Sequence, residues 1–177
     1  MASRTVAQQS AMSDFETARS EWAASFVRVP DDALAYLKPG DDYSLGGLQV
    51  HVNWVLVHYR RVLDGIIAGD FGELGPQDAP GEAEAAGHRA RAGMTPQERR
   101  AALDEMAGLH AAVGAAVAKL ADGDWARKAP VIYGAGQDPD PTSPEDIIGW
   151  LRDHYREHVQ QSADLVDEWK ARSTAGG

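Results

Sequence analysis

The sequence predicts an all-α protein, a four-helix bundle in one domain over residues 1–170, with a frayed tail at residues 171–177. Two observations predict this fold. Four segments carry apolar residues at the spacings of a helix face, and long connections separate these segments. Runs of β-branched residues are too few to predict a sheet. A chain of 177 residues is long enough to bury a core without disulfides, which agrees with a single domain.

The first predicted helix covers residues 13–27. Ser13 is its expected N-cap, and Glu16 completes a capping box. Its apolar stripe consists of Phe15, Ala18, Trp22 and Phe26. The second predicted helix covers residues 44–67, and its inward face includes Leu48, His51, Val55, His58 and Val62.

The third predicted helix covers residues 95–121 and the fourth covers residues 143–170. Both begin with a hydroxyl residue followed by a proline, and an acidic residue lies three positions after the hydroxyl residue. This spacing is the pattern of a capping box at a helix start. These residues are Thr95, Pro96 and Glu98 in the third helix, and Ser143, Pro144 and Asp146 in the fourth. The inward stripe of the fourth helix includes Ile147, Trp150, Leu151, His154, His158, Ser162 and Leu165.

Two long connections separate the predicted helices. Residues 68–94 are rich in glycine, alanine, proline and glutamate and show no strong periodic pattern. This stretch is too long for a tight antiparallel hairpin and suits a crossover between two parallel neighbours, here the second and third helices. Residues 122–142 form the other connection, in which Trp125 and residues 131–133 are expected to pack against the bundle.

Composition and charge narrow the functional classes. Lysine and arginine number 17 against 27 acidic residues, giving a net charge of -10, and no basic stripe is present to neutralise phosphates. Nucleic-acid binding is therefore not expected. No apolar run approaches the roughly 18–20 residues of a membrane span and no signal peptide is visible, so a cytoplasmic protein without membrane contact is expected. The chain has no cysteine, which excludes thiolate ligands and a cysteine nucleophile.

The histidines carry the strongest functional signal. His154 and His158 lie four residues apart on the inward stripe of the fourth helix, where helical geometry stacks their imidazoles about 6 Å apart. His51 and His58 also share one face of the second helix, but about 10 Å along the axis separates them. One of these two can meet the pair, and the spacing does not decide which. Three imidazole nitrogens predict a divalent metal site suited to Zn, Ni or Fe.

The same residues allow other interpretations. A His-x-x-x-His pair is often a surface feature of a helix, and a further alternative is that the histidines satisfy one another without a metal. His110 is expected to be a core histidine that is hydrogen-bonded to a neighbour. The alternative is that His110 supports a metal ligand by contacting it from outside the coordination sphere. His88 is expected to be solvated. Asp153 and Glu157 are either a charged helix face or acceptors for the second N–H of a metal-bound imidazole.

Three motifs occur in a characteristic order along the chain. They are Tyr43–Ser44 ahead of His51, the stretch Leu120–Trp125 ahead of the fourth helix, and His154-x-x-x-His158 followed by Gln160. With these motifs, residues 13–169 resemble the DinB-like family of metal-binding four-helix bundles. That family includes mycothiol- and bacillithiol-dependent transferases and maleylpyruvate isomerases, and its aromatic residue before the serine is more often tryptophan.

The resemblance implies several properties that spacing alone does not decide. It selects His51 over His58 as the third ligand, so the implied metal site is His51, His154 and His158. It implies an up-down-down-up bundle, in agreement with the long crossover between helices two and three. Related bundles commonly form homodimers, so a homodimer is an implied partner arrangement that no residue pattern in this chain indicates.

The resemblance also implies a function. The expected protein is a divalent-metal-dependent enzyme, either a transferase or isomerase that uses a low-molecular-weight thiol, or a hydrolase that uses the same ion. No catalytic residue is identified, and Asp153, Glu157 and His58 are the candidates for a general base. The alternative is a non-catalytic, stress-related protein that binds a metal or a small molecule.

Overall fold

The computed structural model describes residues 5–121 and 123–175, which contain five α-helices, a short 3-10 helix (Asp31–Ala33) and a two-stranded hairpin. The helices are α1 (Val6–Val27), α2 (Gly47–Ala68), α3 (Glu82–Arg91), α4 (Pro96–Val117) and α5 (Pro144–Ala175). The strands are β1 (Ala129–Val131) and β2 (Asp140–Thr142), which pair antiparallel. α1, α2, α4 and α5 form the bundle, and α3 packs against α2. Within the described residues, no helix combines the length and apolar character that crossing a bilayer requires.

Contacts between the long helices give an up-down-down-up bundle, as predicted. Contacts between α1 and α5 advance in the same direction along both helices, and so do contacts between α2 and α4. Contacts between α2 and α5 run in opposite directions. For α1 and α5 the pairs are Asp14–Arg156 and Ser25–Ser162. For α2 and α4 they are Asn53–Glu105 and, just before the two helices begin, Gly46–Met94. For α2 and α5 they are His51–His154 and Tyr59–Trp150. The predicted crossover therefore connects two parallel neighbours, α2 and α4.

The starts of α4 and α5 are held by the two predicted capping boxes. At α4 the Glu98 amide donates to the Thr95 hydroxyl at 3.2 Å, and the Thr95 amide donates to the Glu98 carboxylate at 2.7 Å. At α5 the same exchange joins Ser143 and Asp146, at 3.2 and 2.8 Å. Each box satisfies two amides that lack a partner in the first helical turn.

The predicted start of the first helix at Ser13 is wrong. α1 begins seven residues earlier, at Val6, where the Thr5 hydroxyl accepts a hydrogen bond from the Gln8 amide at 3.2 Å. Ser13 lies inside the helix, and the Glu16 carboxylate pairs with Arg19 instead of closing a capping box. Among the apolar residues of these earlier turns, only Ala11 and Met12 pack against the core, so the apolar signal is too weak to reveal the turns in the sequence.

The two long connections contain a helix and two strands that the sequence pattern does not predict. Part of the 68–94 crossover forms α3, whose buried residues are the small Ala86 and Ala90. β1 and β2 contradict the expectation of no sheet, and Leu74 of the crossover pairs with Val131 beside them. Three-residue strands and an alanine-lined helix give no clear periodicity. Trp125 and Val131 are buried, as predicted.

Three helix ends differ from the predicted ones. α2 begins at Gly47 rather than at residue 44. α4 ends at Val117 rather than at residue 121, because the chain tightens there into turns in which the Leu120 amide donates to the Val117 carbonyl. α5 continues to Ala175, beyond the predicted end at residue 170. Asp122 and residues 176–177 lie outside the described residues.

A chain of hydrogen bonds that begins in the core joins α1, α2 and α4. The Trp22 indole N–H donates to the Gln49 side-chain oxygen at 2.8 Å, and the Gln49 amide donates to Asn53 at 2.7 Å. Asn53 in turn donates to the Glu105 carboxylate at 2.9 Å. Trp22 and Gln49 are both 0% exposed. Because buried polar groups without partners are costly, these bonds fix the relative positions of the three helices.

His110 is a core histidine with two hydrogen-bond partners, which confirms the expected assignment. The Tyr155 hydroxyl donates to its Nδ1 at 3.3 Å, and its Nε2–H donates to the Glu16 carboxylate at 2.9 Å. The Phe15 ring stacks on the imidazole with centroids 4.0 Å apart. Burial lowers the pKa of His110 to about 4, although Glu16 acts in the opposite direction. The imidazole is therefore neutral at pH 7.

Acid is expected to destabilise the metal-free protein through His110. The unfolded imidazole takes up a proton near pH 6.5, whereas the folded one does so only near pH 4. Between these values the unfolded state binds more protons, so the free energy of unfolding falls as the pH falls, by up to about 1.4 kcal/mol per pH unit. Urea unfolding between these pH values measures the slope. His110→Gln should reduce the slope by the share of one group, because the buried His51 and His154 still contribute to it. The same change at exposed His88 should leave the slope unaltered.

Candidate metal centre

Three histidines from two antiparallel helices meet inside the bundle. His51 lies on α2, and His154 and His158 lie one turn apart on α5. The His154 Nε2 atom is 3.0 Å from Nε2 of His51 and 3.0 Å from Nε2 of His158. One nitrogen from each ring lies within 4.8 Å of the other two. The structure thus brings together the three residues of the implied site.

The spacing of these nitrogens suits a single small cation. Zn–N bonds of about 2.0–2.1 Å in a tetrahedral site place neighbouring nitrogens about 3.3 Å apart, close to the observed 3.0 Å. The His154 Nε2 faces two other nitrogens, yet a neutral imidazole carries only one N–H for its two nitrogens. The rings therefore cannot all satisfy one another, and a cation between them would engage all three lone pairs.

Burial keeps the cluster uncharged. It lowers the pKa of His51 to about 4 and that of His154 to about 3, and the neighbouring imidazoles add to both shifts. Burial likewise lowers the pKa of His158. At pH 7 the three rings are neutral, which is the protonation state in which imidazole binds a metal.

Gln161 orients His158. The His158 Nδ1–H donates to the Gln161 side-chain oxygen at 2.7 Å, which leaves Nε2 as the lone pair facing the cluster. Gln161 was not predicted for this role, whereas Asp153 and Glu157 were. Both are exposed, and Asp153 accepts hydrogen bonds from Arg152. The i,i+3 spacing of Gln161 from His158 was the available signal, since residues three apart are neighbours on a helix.

Removing the Gln161 side chain is expected to weaken metal binding without removing a ligand. Gln161→Ala should lower Zn²⁺ affinity by about 10–100-fold, because the second hydrogen bond of a ligating imidazole fixes its tautomer and orientation. Competition with a chromophoric chelator measures the affinity. Gln160→Ala is the matched control, since exposed Gln160 bonds to Asp164 and not to the cluster. Equal affinities in the two variants would contradict this role for Gln161.

Tyr43 and Ser44, the aromatic–serine pair of the sequence motif, support His51 from the start of α2. The Tyr43 ring stacks on the His51 ring with centroids 4.4 Å apart. Ser44 is 0% exposed, accepts a hydrogen bond from the Gly47 amide at 2.9 Å, and donates to the Ala90 carbonyl at 3.1 Å. A side chain at Gly47 would collide with that carbonyl. The pair therefore fixes the ring of His51 and joins α2 to the end of α3.

His58 does not join the cluster. It lies two turns further along α2, where its Nδ1 is 2.6 Å from the Asp78 carboxylate of the crossover. The Trp54 indole stands between the two histidines, with centroid distances of 6.3 Å to His51 and 5.6 Å to His58. Trp150, predicted to face inward, is 37% exposed and packs on Tyr59. The neighbouring Leu151 is buried in the core, as predicted.

The fold and the cluster together define the class of protein as a four-helix bundle with a candidate three-histidine metal centre. The chain belongs to the DinB superfamily, whose profile matches residues 14–162. The match includes His51 and the α5 pair and confirms the resemblance noted in the sequence. Neither curated proteins nor solved structures give a significant match to this chain.

Proposed function

We propose that this protein is a divalent-metal-dependent enzyme that binds a low-molecular-weight thiol at an ion held by His51, His154 and His158. The observation that carries the proposal is the convergence of three neutral imidazoles, with two Nε2–Nε2 distances of 3.0 Å. Three protein nitrogens leave coordination positions open, which is typical of a catalytic site rather than a closed structural one. Zn, Ni and Fe are the metals that such a donor set favours.

The donor set decides the chemistry available. A divalent ion held by neutral ligands keeps its full charge and acts as a Lewis acid that lowers the pKa of a water or thiol within its reach. The chain has no cysteine, so the thiol must come from a separate molecule, such as mycothiol or bacillithiol. Transfer or isomerisation of a thiol conjugate is the proposed reaction, and hydrolysis at the same ion is the related alternative.

The residues of the bundle hold the ligand nitrogens in place before any ion or substrate arrives. Gln161 fixes the ring of His158, and Tyr43 covers one face of His51. Trp22 packs near His158 from the core side, with ring centroids 5.9 Å apart. Rings held in this way lose little freedom on binding, which favours both affinity and the alignment of a bound thiol.

The first test is elemental analysis of protein purified without a polyhistidine tag, which should contain about one Zn, Ni or Fe ion per chain. The second is addition of mycothiol, bacillithiol or cysteine, one at a time, to the Co²⁺-substituted protein. One of these thiols should produce a sulfur-to-cobalt charge-transfer absorption. The same thiol should then react with a chlorinated nitrobenzene faster with metal-loaded protein than without it.

The outcomes separate the candidate functions. Folded protein with no metal would overturn the proposal at its first step. If the metal raises the melting temperature but no thiol gives a cobalt absorption and no reaction occurs, the proposal of an enzyme is overturned. That result would support the non-catalytic alternative. His154→Ala should lose both the metal and the thiol absorption, and His88→Ala, which changes an exposed histidine of α3, is its control.

A further inference from the structure

His58 and Asp78 form a partly buried pair outside the three-histidine cluster. Nδ1 of His58 is 2.6 Å from the Asp78 carboxylate, and the two side chains are only 13% and 20% exposed. The crossover between α2 and α4 brings Asp78 to this position from 20 residues away. A neutral His58 donates its Nδ1–H to Asp78, which leaves Nε2 as a proton acceptor.

The pair lies on the same side of α2 as the candidate metal centre. His51 and His58 are two helical turns apart, about 10 Å along the axis, and the Trp54 ring contacts both imidazoles. Tyr59 and Tyr133 complete the surroundings of His58, with ring centroids 4.9 and 5.9 Å from it. A molecule bound at the cluster and extending along this face passes the Trp54 ring before it reaches His58.

We propose that His58 is the proton acceptor of this site and that Asp78 is its positioning residue; this inference rests on the proposed function. When a thiol binds at the cluster, its S–H bond breaks and the electron pair stays on sulfur. The proton passes, with water bridging the separation, to Nε2 of His58. The imidazolium that forms is balanced by the Asp78 carboxylate through the Nδ1–H bond, and it holds the proton for return to the product.

The other ionisable groups around His58 are unsuited to this role. Burial raises the pKa of Tyr59 and raises that of Tyr133 to about 12, so both are uncharged at neutral pH. Arg61 lies 3.4 Å from Asp78 and pairs bidentately with Glu82. Arginine stays protonated and accepts no proton. Asp153 and Glu157, the other candidate bases from the sequence, are exposed on α5.

The test counts protons rather than turnover. Calorimetric titration of metal-loaded protein at pH 7, with the thiol that produced the cobalt absorption, is repeated in buffers of different ionisation enthalpy. The difference in heat gives the number of protons released per thiol bound. We expect His58→Gln to release more protons than the wild type, by up to about one per thiol, because no group retains the thiol proton. Asp78→Asn should move in the same direction by a smaller amount.

Controls separate the proton role from a structural one. His88→Gln removes an exposed histidine, and Glu73→Gln removes an exposed carboxylate of the same crossover. Both should release as many protons as the wild type. Thiol binding with an unchanged proton count in His58→Gln and Asp78→Asn would overturn the role of His58 alone. If no thiol gives a cobalt absorption, the proposed function fails and the role of His58 fails with it.

Discussion

His154→Ala is expected to lower Zn²⁺ affinity by more than about 100-fold, beyond the 10–100-fold range of outer hydrogen-bond partners. His154 is the central member of the cluster, since its Nε2 lies 3.0 Å from those of both His51 and His158. Its removal leaves two nitrogens on different helices and opens a gap between them. Two neutral ligands hold a divalent ion far more weakly than three, and the third position fills with water.

Competition titration against a chromophoric chelator, for wild type and variant side by side, measures this loss. His88→Ala changes an exposed histidine and should bind Zn²⁺ like the wild type. The melting temperature of the wild type should rise on adding Zn²⁺, because binding to the folded state alone stabilises it, while that of His154→Ala should hardly change. An affinity in the variant within a few-fold of the wild type would show that the ion binds elsewhere.

The sequence predicted those parts of the fold that local chemistry specifies. The capping boxes at Thr95 and Ser143 depend on residues within one turn, and both are present in the structure. The long apolar stripes predicted four helices because each buries one face in the core. α3 escaped prediction because it packs through Ala86 and Ala90, whose burial leaves no hydrophobic period in the sequence.

The candidate site was predictable to the extent that it depends on helical spacing. The i,i+4 repeat of His154 and His158 placed both rings on one face, and the structure confirms that they meet. Spacing could not choose between His51 and His58, since the choice depends on the register of α2 against α5. The resemblance of the chain to a known family supplied that choice. The contact of Asp78 with His58 could not be predicted, because it depends on the path that the crossover takes in the folded chain.

Trp22→Ala is expected to have the largest effect on folding, lowering the free energy of unfolding of the metal-free protein by about 3–5 kcal/mol. The Trp22 side chain is 0% exposed and stacks on Phe26 with centroids 5.1 Å apart. Its removal leaves a cavity among α1, α2 and α5. It also removes the donor to the Gln49 oxygen, which is buried and then lacks this partner. A typical domain is stable by only about 5–15 kcal/mol, so this loss is a large share of the total.

Trp150→Ala is the matched control, because it removes the same side chain from the rim, where Trp150 is 37% exposed. Urea unfolding of both variants should show a clearly smaller loss at Trp150, about 1–2 kcal/mol, because its side chain is only partly buried. If the two losses were equal, burial and the bond to Gln49 would not explain the role of Trp22. Because Trp22 also packs near His158, Trp22→Phe is the informative third variant. It keeps a ring in the core, so it should retain Zn²⁺ affinity while losing about 1–3 kcal/mol through the unpartnered Gln49 oxygen.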